Sequence, residues 1–229
     1  MGRKRIVRSY GDVREHPRYS IEEASGYLNI PASTLKAWIR GQRYMNSRTG
    51  KEKIFAPLIE ASDPINKLLS FYNLAEAHVL RSTTERNIPL TNVRKALAYV
   101  RAKIPQSHPL LTGDFLTFGK LIFLEHLGHT VNITAPQGQL AMRDILDKYL
   151  LRLEWDDTGM PIQIFPIKTN RLAINPLLSS GKPVVRGTGI MVSVLQDRAK
   201  TGETIPELAQ DYGMQAFEIE EAIQEFARA

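Results

Sequence analysis

The chain of 229 residues has 43% hydrophobic residues, no cysteine and a formal net charge of +6. This length is sufficient for one large domain or for two to three small ones. The lack of cysteine excludes disulfides, thiolate metal sites and a thiol nucleophile.

The basic and acidic residues are unevenly distributed. Residues 1–61 hold twelve basic and six acidic side chains, whereas residues 201–229 hold one basic and seven acidic. A basic end attracts a polyphosphate and an acidic end repels it, so the two ends are expected to face different partners. The N-terminus lacks the apolar core of a signal peptide, and no apolar run approaches the roughly 18 residues of a bilayer span. We therefore expect a cytoplasmic protein without membrane contact.

Residues 1–18 are rich in arginine and poor in apolar side chains. We interpret this segment as a basic tail. Two alternatives remain open for it: a disordered, solvated tail, or an arm that lies on the DNA backbone or in the minor groove.

The stretch from residue 19 to residue 41 predicts two short helices with a tight turn. Ser20 and Glu23 have the spacing of a capping box, which satisfies two amides at a helix start. Pro31 lacks an amide and biases Ile30 away from helical geometry, so it separates the helices. The second helix has an apolar stripe at i, i+3, i+4 spacing, formed by Leu35, Trp38 and Ile39.

The opposite face of this second helix is polar and basic. We expect Ser33, Thr34 and Lys36 to lie at base edges and Arg40 to bind phosphate, as in a recognition helix. The alternative is a structural helical hairpin with a solvated polar face.

Two short strand-like pieces follow, separated by a turn rich in Asn, Ser and Gly. They predict a β-hairpin with basic residues that would meet phosphate, namely Arg43, Arg48, Lys51 and Lys53. Residues 74–86 and 91–104 then predict a further pair of helices, the second with an apolar stripe from Val93 to Ile104. Arg94 on its outer face is predicted either to reach DNA or to be solvated.

The segments 19–24, 28–31 and 34–38 resemble the winged-helix motif of MerR-type regulators and phage excisionases. In that family the second helix enters the major groove, the following hairpin or wing touches the backbone, and two more helices follow. The resemblance implies a winged helix-turn-helix domain that binds DNA over residues 19–104.

Residues 105–169 predict a small α+β module that joins the two ends and is a candidate for dimerisation. Strands are expected at 121–124 and 131–133, and a helical stripe at 142–150. A β-hairpin is expected at 151–164, with Asp156 and Asp157 as turn residues. His126 and His129 have no evident third ligand, so no metal site is predicted.

Residues 170–229 predict three short helices, the second of which starts with the capping box Thr204–Glu207 and ends at Gly213. Pro176, the run 181–185 and the run 186–190 resemble the trihelical C-terminal domain of VapB-like antitoxins. Members of that family with this architecture are paired with PIN-like ribonuclease toxins. The resemblance therefore implies such a toxin as a partner.

Two acidic faces are predicted on these helices. Glu218, Glu221 and Glu225 share one face, while Glu207 and Asp211 share another. We expect them to repel DNA and to bind a basic protein surface. The alternative is a solvated acidic face on a domain that only packs.

The sequence thus predicts a mainly α, α+β fold with a winged helix-turn-helix, a central α+β module with a hairpin and a C-terminal three-helix domain. The favoured function is a DNA-binding antitoxin that represses its own operon as a homodimer on operator DNA. The alternative is a freestanding MerR-type regulator with a small-molecule or protein effector. No catalytic constellation and no cofactor site can be assembled, so an enzyme is not expected.

Overall fold

The computed structural model describes residues 11–45, 50, 52–85, 89–103, 107–112, 152–165 and 171–227. Within these ranges the fold is mainly α, with seven α-helices and short antiparallel hairpins. The predicted strands at 121–124 and 131–133, the helical stripe at 142–150, and His126 and His129 lie outside the described residues.

The helix-turn-helix consists of α1 (Ile21–Leu28) and α2 (Ala32–Arg40). Ser20 and Glu23 form the predicted capping box at the start of α1. Asn29 takes a left-handed conformation at the end of α1, with φ 49° and ψ 49°, which asparagine tolerates better than most residues. The chain is thereby turned sharply before Pro31 starts α2.

A two-stranded antiparallel hairpin, the wing, follows α2 directly. It pairs β1 (Gln42–Met45) with β2 (Glu52–Phe55) in a register that places Arg43 opposite Ile54. Gly41 has φ +74°, and a Cβ there would lie 2.2 Å from the carbonyl oxygen of Phe55. Only glycine therefore allows α2 to turn into the wing at this point.

Two longer helices support the helix-turn-helix. They are α3 (Phe71–Thr84), which starts at a capping box of Ser70 and Asn73, and α4 (Leu90–Lys103). The predicted stripe of α4 is buried within the described range, at Val93, Ala96, Leu97 and Val100.

Residues 11–18 are folded against this core, so the solvated-tail interpretation does not describe them. Val13–Glu15 form a 3₁₀ turn. Arg14 lies between Asp12 and Asp156, with its guanidinium 5.2 Å from the ring centre of Tyr72. Arg14 therefore has a structural role, because two carboxylates satisfy its positive charge.

The hairpin predicted at 151–164 is confirmed as β3 (Leu153–Trp155) and β4 (Pro161–Ile164). Asp156 holds its turn by accepting hydrogen bonds from the amides of Thr158 and Met160. A second short pair follows, formed by β5 (Leu172–Ala173) and β6 (Val184–Val185).

Three helices end the described chain: α5 (Val192–Lys200), α6 (Ile205–Tyr212) and α7 (Ala216–Ala227). The predicted Thr204–Glu207 capping box and the Gly213 stop are both present at α6. These helices share one apolar core, whereas Ile174 belongs to the larger core of the helix-turn-helix and of α3 and α4. The C-terminal segment therefore contributes to both cores.

Candidate nucleic-acid interface and partner surface

The second helix of the helix-turn-helix, α2, buries one face and exposes the other. Leu35, Trp38 and Ile39 are buried, as their spacing predicts. On the opposite face Ser33 and Arg40 are exposed, while Thr34 and Lys36 are half-buried. This face has hydroxyl groups near the start of the helix and cations further along, an arrangement that suits base edges and phosphates.

A carboxylate lies beside the basic face of α2. Lys36 Nζ is 3.2 Å from Glu22 Oε1 on α1. A hydrogen bond to its own backbone amide, followed by the nearby Lys36 and Arg40, lowers the pKa of Glu22. Glu22 is therefore ionised at neutral pH and offsets part of the positive charge of this surface.

The wing adds a further cation to the surface. Arg43 is exposed and lies 3.8 Å from Glu52 on the paired strand. Lys53 lies in β2. Arg48 and Lys51 lie outside the described residues. Of the basic residues predicted for the wing, Arg43 is therefore the one whose side chain the structure describes.

The base of the wing is held by Arg94 of α4. The Arg94 guanidinium lies 4.8 Å from the ring centre of Phe55, and Nη1 donates a 2.5 Å hydrogen bond to the carbonyl oxygen of Ala56. Burial lowers the pKa of Arg94. Arg94 thus connects α4 to the wing, a third role beside the DNA contact and the solvated face predicted for it.

The acidic side chains of the C-terminal helices have partners within the chain. Glu218 and Glu221 both pair with Arg171, at 3.6 and 2.6 Å. Asp211 pairs with Arg198 at 2.6 Å. Glu207 is exposed and accepts from the amide of Thr204 at the start of α6.

The prediction that Glu225 shares an exposed face with Glu218 and Glu221 is wrong. Glu225 is only 5% exposed. The end of α7 also packs against the helix-turn-helix, where the ring of Phe226 lies 6.4 Å from that of Tyr27. Helical periodicity alone assigned Glu225 to the solvent side of α7, whereas the structure buries it.

The C-terminal segment also makes polar contacts with α1 and with the two residues that precede its cap. The Tyr19 hydroxyl donates to the carbonyl oxygen of Gly181 at 3.0 Å, and Arg18 Nη1 donates to that of Pro176 at 3.1 Å. Lys182 forms an ion pair with Glu23, the capping residue of α1. The helix-turn-helix and the C-terminal segment are therefore in direct contact.

A buried polar cluster, which the sequence did not predict, lies beneath the N-terminal turn. His108 places Nε2 3.0 Å from Glu15 and Nδ1 3.2 Å from Glu76, and Glu76 is 1% exposed. Burial alone would lower the pKa of His108, but its interactions with Glu15 and Glu76 outweigh burial and raise the pKa to about 9. Burial raises the pKa of Glu76. His108 and its two carboxylates therefore form a structural ionic cluster.

The part of the chain that the structure describes has neither a metal-binding cluster nor a membrane-spanning helix. Its side chains include no group of three or more His, Asp or Glu residues positioned to bind a metal ion. Over the same residues, no helix has both the length and the apolar character that crossing a membrane requires.

Two family models match separate parts of the chain. Residues 17–97 match the family described as "Putative DNA-binding HTH domain", which covers α1, α2, the wing and α3. Residues 172–225 match the family described as "Protein of unknown function (DUF433)".

Similar proteins and a similar solved structure come from Mycobacterium tuberculosis. The chain is 24% identical over 233 residues to "Putative antitoxin VapB45", covering 92% of this chain and 94% of that protein. It is 24% identical over 221 residues to "Uncharacterized protein Rv2308", covering 90% and 88%. The crystal structure of Rv2018 superimposes with a TM-score of 0.67 at 25% identity, over 91% of this chain and 98% of that one.

These comparisons support the resemblance to VapB-like antitoxins in a chain with a helix-turn-helix. Assignment of that motif to the MerR type stays a prediction.

Proposed function

We propose that the chain is a DNA-binding antitoxin that represses its own operon and neutralises a PIN-like ribonuclease toxin. The observation that carries this proposal is the exposed polar and basic face of α2, within a segment that matches a DNA-binding helix-turn-helix family. The similarity to the protein named "Putative antitoxin VapB45" supports the second activity.

For DNA binding, Ser33, Thr34 and Lys36 would approach base edges, while Arg40 and the wing residues Arg43, Arg48, Lys51 and Lys53 would hold phosphates. Each phosphate contact releases condensed counterions, so its loss weakens binding to all sequences and reduces the salt dependence by about one unit of slope. Loss of a base contact instead relaxes specificity at one position.

Arg40→Ala tests this surface. We expect weaker binding to a duplex from the region directly upstream of the gene, with a flatter salt dependence, in fluorescence anisotropy titrations at several salt concentrations. Lys200→Ala is the matched control, because Lys200 is an exposed cation on α5. If Arg40→Ala had the affinity and the salt dependence of the parent chain, α2 would not be part of the DNA interface.

For the partner, the exposed carboxylates of Glu207, Asp211 and Glu221 and the half-buried carboxylate of Glu218 would contact a basic surface of the toxin. Because Arg171 and Arg198 already neutralise three of them, the toxin's cations would have to share or replace these pairs. Such rim charges mainly affect the association rate and its salt dependence. Glu225 has no part in this contact, since it is buried.

Neutralisation of the toxin can be tested in cells and with purified proteins. Expression of the ribonuclease encoded beside this gene should arrest growth, and co-expression of this chain should restore it. Glu207→Gln combined with Asp211→Asn should slow association, whereas Glu60→Gln, on the helix-turn-helix side, should not. Intact operator binding with no effect on any such ribonuclease would instead favour the freestanding regulator.

We further propose that the chain binds a two-fold operator as a homodimer, because symmetric dimers commonly read palindromic sites. Sedimentation of the free chain and of its DNA complex tests this. A free species of 25.9 kDa, together with a complex that holds one such chain per duplex, would contradict it.

A further inference from the structure

The outward face of α7 is rotated from the acidic face that helical spacing predicted for this helix. Glu218 is half-buried and Glu225 is buried. Four exposed residues at i, i+3, i+4, i+7 spacing instead form one stripe along α7, namely Phe217, Glu220, Glu221 and Gln224. The other side of α7 packs into the C-terminal core through Ile219 and Ala222. The stripe therefore points away from that core.

Phe217 is the apolar member of the stripe and is 52% exposed. Single apolar side chains on a surface are common and need no explanation. This ring differs because it is held in place. The guanidinium of Arg171 lies 5.3 Å from the ring centre, and Arg171 is itself fixed by its 2.6 Å ion pair with Glu221. A ring held in this way loses little conformational freedom when it binds a partner.

The charge around Phe217 indicates the kind of partner. Residues 192–227, which include all three C-terminal helices, hold eight acidic and two basic side chains. Glu220 accepts a 3.1 Å hydrogen bond from Gln224 Nε2 and forms no ion pair with any residue that the structure describes. A surface of this sign repels the phosphates of DNA and attracts the cations of a protein. The occupant that fits this stripe is therefore a protein with a basic surface.

We propose that this stripe is the docking face for the ribonuclease, with Phe217 inserted into an apolar pocket that is surrounded by cations. Those cations would pair with Glu220 and Glu221. The inference rests on the proposed neutralisation of a toxin, and it adds an aromatic anchor and Glu220 to the carboxylates considered there. Aromatic residues are enriched at the centres of protein interfaces, where a few residues carry most of the binding energy.

The anchor and the carboxylate should affect different rate constants. Phe217→Ala should weaken binding to the ribonuclease encoded beside this gene by about thirtyfold, mainly through faster dissociation. Glu220→Gln should instead slow association at low salt, and the difference should disappear at high salt. Ile65→Ala is the matched control, because it removes an 86% exposed apolar side chain from the turn before α3, and it should bind as the parent chain does. Surface plasmon resonance at several salt concentrations measures both rate constants.

A chemical footprint tests the location of the contact independently of its energy. The chain has no cysteine, so Gln224→Cys introduces a single thiol on the exposed stripe. Bound ribonuclease should slow the reaction of this thiol with a maleimide, measured by the mass of this chain. Lys95→Cys on α4, where Lys95 is exposed, should react at the same rate with and without the ribonuclease.

The outcomes separate this inference from the function on which it rests. If the parent chain does not bind the ribonuclease, the proposed neutralisation is contradicted and the docking face with it. If the parent binds, but folded Phe217→Ala binds equally well or Gln224→Cys stays fully reactive in the complex, only the docking face is overturned. Protection of Gln224→Cys that increases with the concentration of the free chain would assign the stripe to a second copy and would also overturn it. Thermal unfolding confirms that each variant is folded.

Discussion

The hydroxyl of Tyr19 donates a 3.0 Å hydrogen bond to the carbonyl oxygen of Gly181, a residue 162 positions away in the chain. Tyr19 is 1% exposed and directly precedes the cap of α1. The contact therefore connects the start of the helix-turn-helix to the segment that leads into the C-terminal helices. A substitution of either residue should therefore affect the stability of both parts.

Gly181→Ala should destabilise the protein strongly. A Cβ at Gly181 would lie 2.1 Å from the Tyr19 hydroxyl oxygen, and Gly181 has φ +76°. Gly187→Ala is the matched control, since Gly187 has φ +77° but no atom within 4 Å of the added Cβ. The control should lose about 1–2 kcal/mol from left-handed strain alone, and Gly181→Ala at least about 1 kcal/mol more from the clash.

Urea unfolding of both variants measures this difference. Tyr19→Phe should cost about 1 kcal/mol, because it removes the hydrogen bond and leaves a buried carbonyl without that donor. Equal unfolding free energies for Gly181→Ala and Gly187→Ala would show that the close approach of Tyr19 has no energetic weight.

The buried ion pair of His108 predicts a loss of stability at alkaline pH. The folded-state pKa of about 9 exceeds the ordinary value of 6.5. A raised pKa contributes stability that is fully present below pH 6.5 and is lost as the pH rises through about 9. The total loss should be roughly 3 kcal/mol at most.

Urea unfolding between about pH 6 and about pH 10 should show this loss in the parent chain and not in His108→Gln. Glu15→Gln, which removes one of the two carboxylates on His108, should give an intermediate profile. If His108→Gln retained the full pH dependence of the parent chain, another group would have to be its source.

Local signals allowed several elements to be predicted from the sequence. The capping boxes of Ser20 with Glu23 and of Thr204 with Glu207 are both present. They could be predicted because their partners are three residues apart. The same holds for the hairpin around Asp156, whose turn residues are adjacent in the chain.

Features that depend on distant residues could not be predicted. His108 and Glu15 are 93 positions apart, and no periodicity connects them. Glu225 is buried although helical spacing places it on the same face as Glu218 and Glu221. Helical spacing places side chains on a common face, but only tertiary contacts decide whether solvent reaches that face.

Glu22→Gln should strengthen DNA binding. Glu22 pairs with Lys36 on the proposed DNA surface, so its removal would free Lys36 for its DNA contact and remove a charge that repels the phosphates. We expect about threefold tighter binding at low salt and a steeper salt dependence. Glu220→Gln, which removes an exposed carboxylate from α7, should have no such effect. Equal or weaker binding by Glu22→Gln would indicate that this side of α2 does not face DNA.

Glu23 has two roles, and substitutions can separate them. Its carboxylate accepts a hydrogen bond from the amide of Ser20 and also pairs with Lys182 of the C-terminal segment. Glu23→Gln should keep the capping box, since glutamine serves at this position, and should lose only the ion pair. Because that pair is partly exposed, the cost should be at most about 1 kcal/mol.

Glu23→Ala should cost more, because it removes the cap as well, a loss of about 1 kcal/mol. Glu207→Ala is the matched control within the same chain, since Glu207 forms the equivalent box with Thr204 at α6. Thermal unfolding should therefore rank Glu23→Ala as more damaging than Glu207→Ala, and Lys182→Ala should reduce the difference between them. If Glu23→Gln were as costly as Glu23→Ala, the ion pair with Lys182 would account for the whole effect of Glu23, and the cap for none of it.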